Sequence, residues 1–264
     1  MLAFVRWNGA FSDCIELLAG VRQGGVVSPI LFSLYVDDLI VKLRKANLGC
    51  SINGVYIGCI MYADDLVLLA CSITTLQAMI NMCSDEIIYL DMRFNALKSS
   101  VMRVGKRFKH VCTPLSVCND TLQFVDEIKY LGVYITSGTH FILNINKLKA
   151  KFYSALNGIL SRCGSRMNEV VTVHLINAFC RPILLYGCDA VPLCKTHIDS
   201  LAHSWNRIYW KLFKINDDNN IVDMQVFMND TPIDTDSCRR RENFLKRIKS
   251  SSNCIMLMLS AIVI

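Results

Sequence analysis

Two short apolar runs meet at a pair of adjacent carboxylates in Gly58-Cys-Ile-Met-Tyr-Ala-Asp-Asp-Leu-Val-Leu-Leu-Ala70. Each run is too short for a helix of ordinary length, and together they read as two buried strands, Cys59–Tyr62 and Leu66–Ala70. The residues between them tolerate tight-turn backbone, so Ala63-Asp64-Asp65 is expected at the tip of a hairpin. Adjacent carboxylates repel, and each raises the pKa of the other unless a cation lies between them. The nearest basic residues in sequence are Lys45 upstream and Arg93 downstream. Two readings follow: an ordinary surface turn, or two oxygen ligands for a hard cation such as Mg2+, which takes one or two carboxylates together with substrate phosphates.

A second Y-x-D-D, Tyr35-Val36-Asp37-Asp38, lies 27 positions earlier in a different setting. Ser28-Pro29 is a helix start, a cap followed by proline at the first helical position. Leu31, Leu34, Tyr35, Leu39 and Leu43 then recur at near-helical spacing. Asp38 stands four residues before Lys42, the favourable order for a helical ion pair. Asp37 and Asp38 therefore read as surface carboxylates of an amphipathic helix. Thr74–Phe94 reads as another, with Leu76, Met79, Ile80, Cys83, Ile87 and Leu90 on one side.

A chain of 264 residues with 53% hydrophobic content can bury a core in one or two domains. Its charge is uneven. Residues 1–137 carry 12 basic and 12 acidic side chains, whereas residues 138–264 carry 16 and 10. The excess of positive charge suits an anionic partner, or a solvated surface. The 13 cysteines are scattered without zinc-ligand spacing. With no secretory leader at the N-terminus, they read as reduced thiols of an intracellular protein, nuclear or cytoplasmic. The apolar tail Cys254–Ile264 is 11 residues long, too short to span a bilayer, so no membrane partner is expected.

Four segments then occur in order: V-R-Q-G-G-V-V-S-P-I-L-F, Y-A-D-D-L-V-L-L-A, F-N-A-L-K-S-S and I-K-Y-L-G-V-Y-I. Together they resemble the reverse transcriptases of LINE-type (non-LTR) retrotransposons, over about residues 15–137. The resemblance implies an α+β fold. A partial right-hand palm, an antiparallel sheet with helices, would occupy residues 1–138, and a mainly helical, thumb-like region residues 139–264. It implies RNA-directed DNA polymerisation by two-metal nucleotidyl transfer, with Asp64 and Asp65 as catalytic and metal ligands for Mg2+. Tyr62 would sit near the primer end, Arg22, Gln23 and Gly24 would meet the templating base and incoming nucleotide, and Lys98 would approach the nucleotide phosphates. Tyr130–Ile135 would be a single primer-grip strand. The implied partners are an RNA template, a DNA primer or RNA–DNA duplex, and deoxynucleoside triphosphates.

The chain departs from that pattern upstream. The family carries a further metal-bridging aspartate on an earlier strand, and only 21 residues precede Arg22 here. Asp13 lies among them without a matching motif. The expectation is that an N-terminal palm and fingers segment is missing and that the chain is inactive alone. The alternative is a non-catalytic nucleic-acid-binding remnant of a decayed retroelement. Basic residues among aromatics around Trp205–Lys214, and the run Arg239-Arg240-Arg241, suit phosphate contact or an ordinary helical surface.

Overall fold

The computed structural model describes residues 2–16, 20, 24–163, 168–191, 193–215, 217–253 and 255–258. They fall into two compact units, Met1–Ser99 with Cys112–Leu122, and Ser100–Val111 with Gln123–Ile264. In chain order the elements begin with four two-residue strands, β1 (Leu2–Ala3), β2 (Arg6–Trp7), β3 (Ala10–Phe11) and β4 (Ile15–Glu16). Helix α1 (Ser28–Lys45) follows, then β5 (Ser51–Ile52), β6 (Val55–Tyr56), β7 (Cys59–Tyr62), β8 (Asp65–Leu68) and α2 (Ile73–Tyr89). Next come β9 (Ser100–Val101), β10 (Ser116–Val117), β11 (Asp120–Thr121), β12 (Gln123–Phe124), β13 (Glu127–Tyr130), β14 (Val133–Thr136) and β15 (Ile142–Leu143). Helices α3 (Ile145–Cys163), α4 (Glu169–Leu184), α5 (Lys195–Phe213), α6 (Asp218–Phe227) and α7 (Ile233–Lys249) follow. The class is α+β, with mixed helices and small sheets. Among the described residues the strands form six two-stranded sheets and one of three strands.

In the first unit, α1 and α2 share a core of Leu39, Leu43, Met79 and Cys83. Cys59, Leu66 and Leu68 of the β7–β8 hairpin pack against it. Helix α2 starts where Ser72 accepts a hydrogen bond from the Thr75 N–H at 3.1 Å. It ends at Tyr89, short of the expected Phe94, and Asp91 just beyond it takes left-handed backbone at φ 54°. Helix α1 opens with Ser28 already inside it and Val27 at the cap, so Ser28 does not fill the expected capping position. The expected Asp38–Lys42 pair is replaced. Lys42 bonds Glu86 on α2, and that hydrogen bond raises the Lys42 pKa. Glu86 is buried, where an unpartnered carboxylate would be costly, so the longer-range partner wins over the helical neighbour. Tyr35 likewise reaches the end of α2, donating to the Leu90 carbonyl at 2.8 Å. The first turns of α1 run past that end. Leu31 and Leu34 therefore stay more than half exposed, while Val36, Leu39 and Leu43 are buried.

The hairpin register pairs Tyr62 with Asp65 and Met61 with Leu66, leaving Ala63-Asp64 as a two-residue loop. The loop has an L-residue in left-handed backbone, Ala63 at φ 51°. Gly49 lies beneath the hairpin at φ 109°, where a Cβ would come within 2.9 Å of the Gly58 Cα and within 3.0 Å of the Leu69 carbonyl oxygen. Only glycine fits both that backbone and that gap.

In the second unit, Phe152, Ile176, Leu184, Leu201, Trp205 and Ile208 anchor a core drawn from α3, α4 and α5. The expected continuous strand over Tyr130–Ile135 is instead a hairpin. Leu131 and Gly132 turn at φ 47° and 82°, the paired positive values of a type I′ loop, and β13 runs antiparallel to β14. At the turn, Tyr186 donates to the Leu131 carbonyl at 2.8 Å.

A buried polar network ties α4, α5 and α7 together. Arg181 donates to Asp230 at 2.8 Å and to Asp236 at 2.9 Å, and it also bonds the Thr231 carbonyl. Its guanidinium lies 4.7 Å over the Trp205 ring. Asp230 further accepts from Asn177, the Trp205 indole and the Tyr209 hydroxyl. Trp205 and Tyr209 are thus core residues, and of this aromatic run Trp210 is the one left 46% exposed. Arg239 and Arg240 bond Asp236, while Arg241 donates to the Asp189 and Ala190 carbonyls. Two members of the arginine run are thus engaged within α7, and the third ties α7 to the segment after α4.

Two predictions follow from these contacts. Replacing Asp230 with alanine strands the buried guanidinium, and should lower unfolding free energy by about 3–5 kcal/mol in denaturant titrations. Burial alone would raise the Asp236 pKa, but the Arg239 hydrogen bond and the Arg240 and Arg181 charges hold it below its ordinary 3.8. A depressed carboxylate stabilises the fold above its unfolded-state value and loses that contribution as pH falls through the folded value. The stability gap between the native chain and Asp236→Asn should therefore be full above pH 4 and close below it, as measured by chemical denaturation across pH. At the hairpin tip, Ala63→Val places a β-branched residue in left-handed backbone, and should cost about 1–2 kcal/mol by the same titration.

Candidate active site

The alternation of β7 and β8 sorts the tip residues onto two faces. Met61 and Leu66 face inward with Cys59 and Leu68, toward α1 and α2. Ile60, Tyr62 and Asp65 fall on the outer face, where Tyr62 is 63% exposed. Asp64, in the loop, is exposed yet lines a cavity of about 120 Å³ on the inner side. The same cavity is bounded by Phe32, Val36, Leu39, Ile87, Arg93 and Phe94. The two aspartates are adjacent in sequence, and one belongs to the loop above the cavity while the other begins β8.

Among the described residues, no hydrogen bond or ion pair falls on the Asp64 or Asp65 side chain. Both stand open to a cation. Their hard oxygen donors match a divalent ion of the Mg2+ kind, which needs only one or two protein carboxylates beside phosphate oxygens. Among the described residues no third Asp, Glu, His or Cys joins them in a metal-binding group. The donor set fits such an ion in kind and is short in number for a two-ion site.

The remaining candidates are distributed around the same unit. Gly24 is exposed at φ 79° with open space where a Cβ would stand. That is backbone a substrate can approach closely. Arg22 and Gln23 lie outside the described residues. Lys98 is exposed in the turn after Asn95, where its N–H donates to the Asn95 side chain at 3.2 Å. Among the described residues no bond joins Lys98 or Gly24 to the aspartates. Asp37 and Asp38 are exposed on α1, as the helical reading of the first Y-x-D-D expects. Sequence reading named Arg93 as the nearest basic residue downstream of the aspartates and gave it no role at the site. Its one distinguishing signal is that it is the first basic residue after Asp65, and the fold brings it to the cavity that Asp64 lines.

In the second unit, three lysines gather around one ring. The ammonium groups of Lys129, Lys147 and Lys151 lie 6.0, 5.5 and 4.9 Å from the centre of Tyr134. Lys151 also bonds the Gly132 carbonyl at 3.2 Å, and Lys147 stands 3.8 Å from Glu127. Lys149 turns away to Ser200 at 2.9 Å. Of the basic triplet on α3, only the two residues one turn apart share the tyrosine's face.

A family model described as reverse transcriptase (RNA-dependent DNA polymerase) matches residues 3–135. The chain is 31% identical over 126 residues to the retrovirus-related Pol polyprotein from the type-2 retrotransposable element R2DM of Drosophila melanogaster, covering 45% of this chain and 12% of that protein. It is 32% identical over 136 residues to the corresponding R2 polyprotein of Nasonia vitripennis, covering 48% of this chain and 13% of that one. A longer match, 23% identical over 191 residues, covers 70% of this chain and 19% of the RNA-directed DNA polymerase from mobile element jockey of Drosophila funebris. The chain thus spans a small fraction of the relatives it matches. Among the described residues no helix is long and apolar enough to cross a membrane. The matched segment contains the hairpin, its supporting helices and the Arg22-Gln23-Gly24 stretch, and on it the chain belongs to the reverse transcriptase (RNA-dependent DNA polymerase) family, in the LINE-type (non-LTR) retrotransposon branch.

Proposed function

We propose that this chain carries the carboxylate-bearing part of an RNA-directed DNA polymerase site, with residues 1–138 as partial palm and residues 139–264 as a thumb-like helical region. The observation that carries the reading is the tip of the β7–β8 hairpin: two exposed, unpaired aspartates within the family-matched segment. In this reading Asp64 and Asp65 hold the divalent metal, Mg2+ in the first instance. When bound, such an ion neutralises charge on the reacting phosphate oxygens. Tyr62, on the outer face beside Asp65, supports the primer end. Gly24 admits backbone close to the incoming nucleotide, with Arg22 and Gln23 beside it, and Lys98 supplies positive charge toward the triphosphate. Arg93 joins this set as a cation facing the cavity under Asp64.

Two-metal nucleotidyl transfer needs more ligands than one pair of neighbouring carboxylates. The 264-residue chain by itself is therefore expected to bind a DNA primer annealed to an RNA template without extending it. The lysines around Tyr134 support the binding half, since exposed ammonium groups gathered around one half-buried ring suit backbone phosphates. That cluster also favours the second reading, a non-catalytic nucleic-acid-binding remnant, whose binding would be indifferent to Asp64.

The test uses the purified chain, its Asp64→Ala variant and a Lys129/Lys147/Lys151→Ala variant with a primer–template, deoxynucleoside triphosphates and Mg2+. Binding should weaken with salt, and the triple variant should flatten the log–log slope by about 2–3. No extension should be seen from the chain alone. Extension that disappears in Asp64→Ala would show a complete site and overturn the inactivity. Binding without salt dependence would overturn the nucleic-acid reading itself.

A further inference from the structure

The hairpin that carries Asp64 and Asp65 is flanked by a pair of thiols. The Sγ atoms of Cys50 and Cys71 lie 3.6 Å apart, in hydrogen-bond contact. Cys50 precedes β5, and Cys71 follows β8 at the entrance to α2. The backbone between them is already tied. The Cys50 N–H donates to the Leu69 carbonyl at 3.0 Å, the Leu69 N–H to the Gly58 carbonyl at 2.8 Å, and the Ile57 N–H to the Cys50 carbonyl at 2.9 Å. These bonds hold the two chain segments side by side whatever the thiols do. Disulfide bonding asks for an S–S separation near 2.05 Å, so closure requires the sulfurs to approach by roughly 1.5 Å, a movement within reach of side-chain rotation.

The geometry points to a reversible disulfide between Cys50 and Cys71, a redox-sensitive clamp that closes the chain segment holding the β7–β8 hairpin. It depends on the hairpin's structure and not on the activity proposed for its tip. Cys71 is exposed and Cys50 half-buried. Of the neighbouring thiols, Cys83 is buried and pushed up to about 12, and Cys59, among the described residues, has no thiol contact like that of Cys50 with Cys71. Cys50 is raised to about 11 by burial and by its contact with Cys71, which suits it to the second step rather than the first. In the first step the Cys71 thiolate attacks one sulfur of a small disulfide such as oxidised glutathione, forming a mixed disulfide and releasing one glutathione thiolate. In the second step Cys50 gives up its proton and attacks the Cys71 sulfur, displacing the second glutathione. Two protein thiols are oxidised and one small disulfide is reduced to two thiols. A reducing cytosol reverses the sequence, so the clamp records a change of redox state.

The consequence is mechanical. The covalent loop, residues 50–71, encloses β5, β6 and both strands of the β7–β8 hairpin, and it joins the segment before β5 to the segment after β8. Opening of these strands must then proceed inside a closed loop, which restricts the local unfolding available to the tip.

The experiment exposes the native 264-residue chain to oxidised glutathione, blocks remaining thiols with N-ethylmaleimide and digests it unreduced. Trypsin is unsuitable, because residues 46–92 contain no lysine or arginine. Cleavage before aspartate separates residues 38–63, holding Cys50 and Cys59, from residues 65–84, holding Cys71 and Cys83. The expected result is these two peptides joined, two hydrogens lighter than their sum, with maleimide on Cys59 and Cys83. The link should be lost in Cys71→Ser and in Cys50→Ser, and β7 and β8 amides should exchange more slowly in the oxidised chain than in the reduced one. Both thiols fully alkylated in folded native chain, or a link that persists in either serine variant, would overturn the proposal.

Discussion

One face of a short hairpin must be apolar and the other must not, and most of the first unit follows from that requirement. Cys59, Leu66 and Leu68 need a partner surface, and α1 and α2 supply it through Leu39, Leu43, Met79 and Cys83. The helices are then held in register by the buried Glu86, which draws Lys42 across from α1. The loop at the far end of the strands has no such obligation. It carries Asp64 and Asp65 at an exposed tip, beyond the residues that pack on the helices. The hairpin thus separates anchoring from chemistry along its own length.

The second unit uses charge in two contrasting ways. Arg181, Asp230 and Asp236 are sealed among Trp205, Tyr209 and the helices that carry them, where each charge is tolerable only because the others are present. Lys129, Lys147 and Lys151 stand at the surface around Tyr134, and among the described residues Glu127 is the one carboxylate in an ion pair with them. The first arrangement fixes how α4, α5 and α7 meet. The second leaves positive charge unsatisfied by the protein and available to an anion.

Much of this was legible in residue order where the signal was local. Short apolar runs on either side of Ala63-Asp64 foretold the hairpin, and the 3.6-residue recurrence foretold α1 and α2. What failed was whatever depended on a distant partner. Asp38 was the natural mate for Lys42 by spacing, but a buried carboxylate 44 residues further on outcompetes an exposed one. Tyr130–Ile135 alternates like one strand, yet Leu131 and Gly132 adopt the backbone of a tight turn, a choice that alternation alone does not register. Trp205 and Tyr209 looked equally suited to a nucleic-acid face or a core, and the deciding group, Asp230, lies more than 20 residues away. Arg93 beside Asp64's cavity had no motif to announce it.

The two-residue loop at Ala63-Asp64 carries a further implication for how such a sequence can change. Because side chains alternate strictly along a strand, losing or gaining one residue in either arm would exchange the faces beyond it. Met61 and Leu66 would turn to the outer face, and Asp65 would turn inward. Replacing one apolar residue by another in the arms leaves that geometry alone. The hairpin is therefore far more tolerant of what its residues are than of how many there are, and a single-codon insertion would erase the site more thoroughly than several substitutions around it.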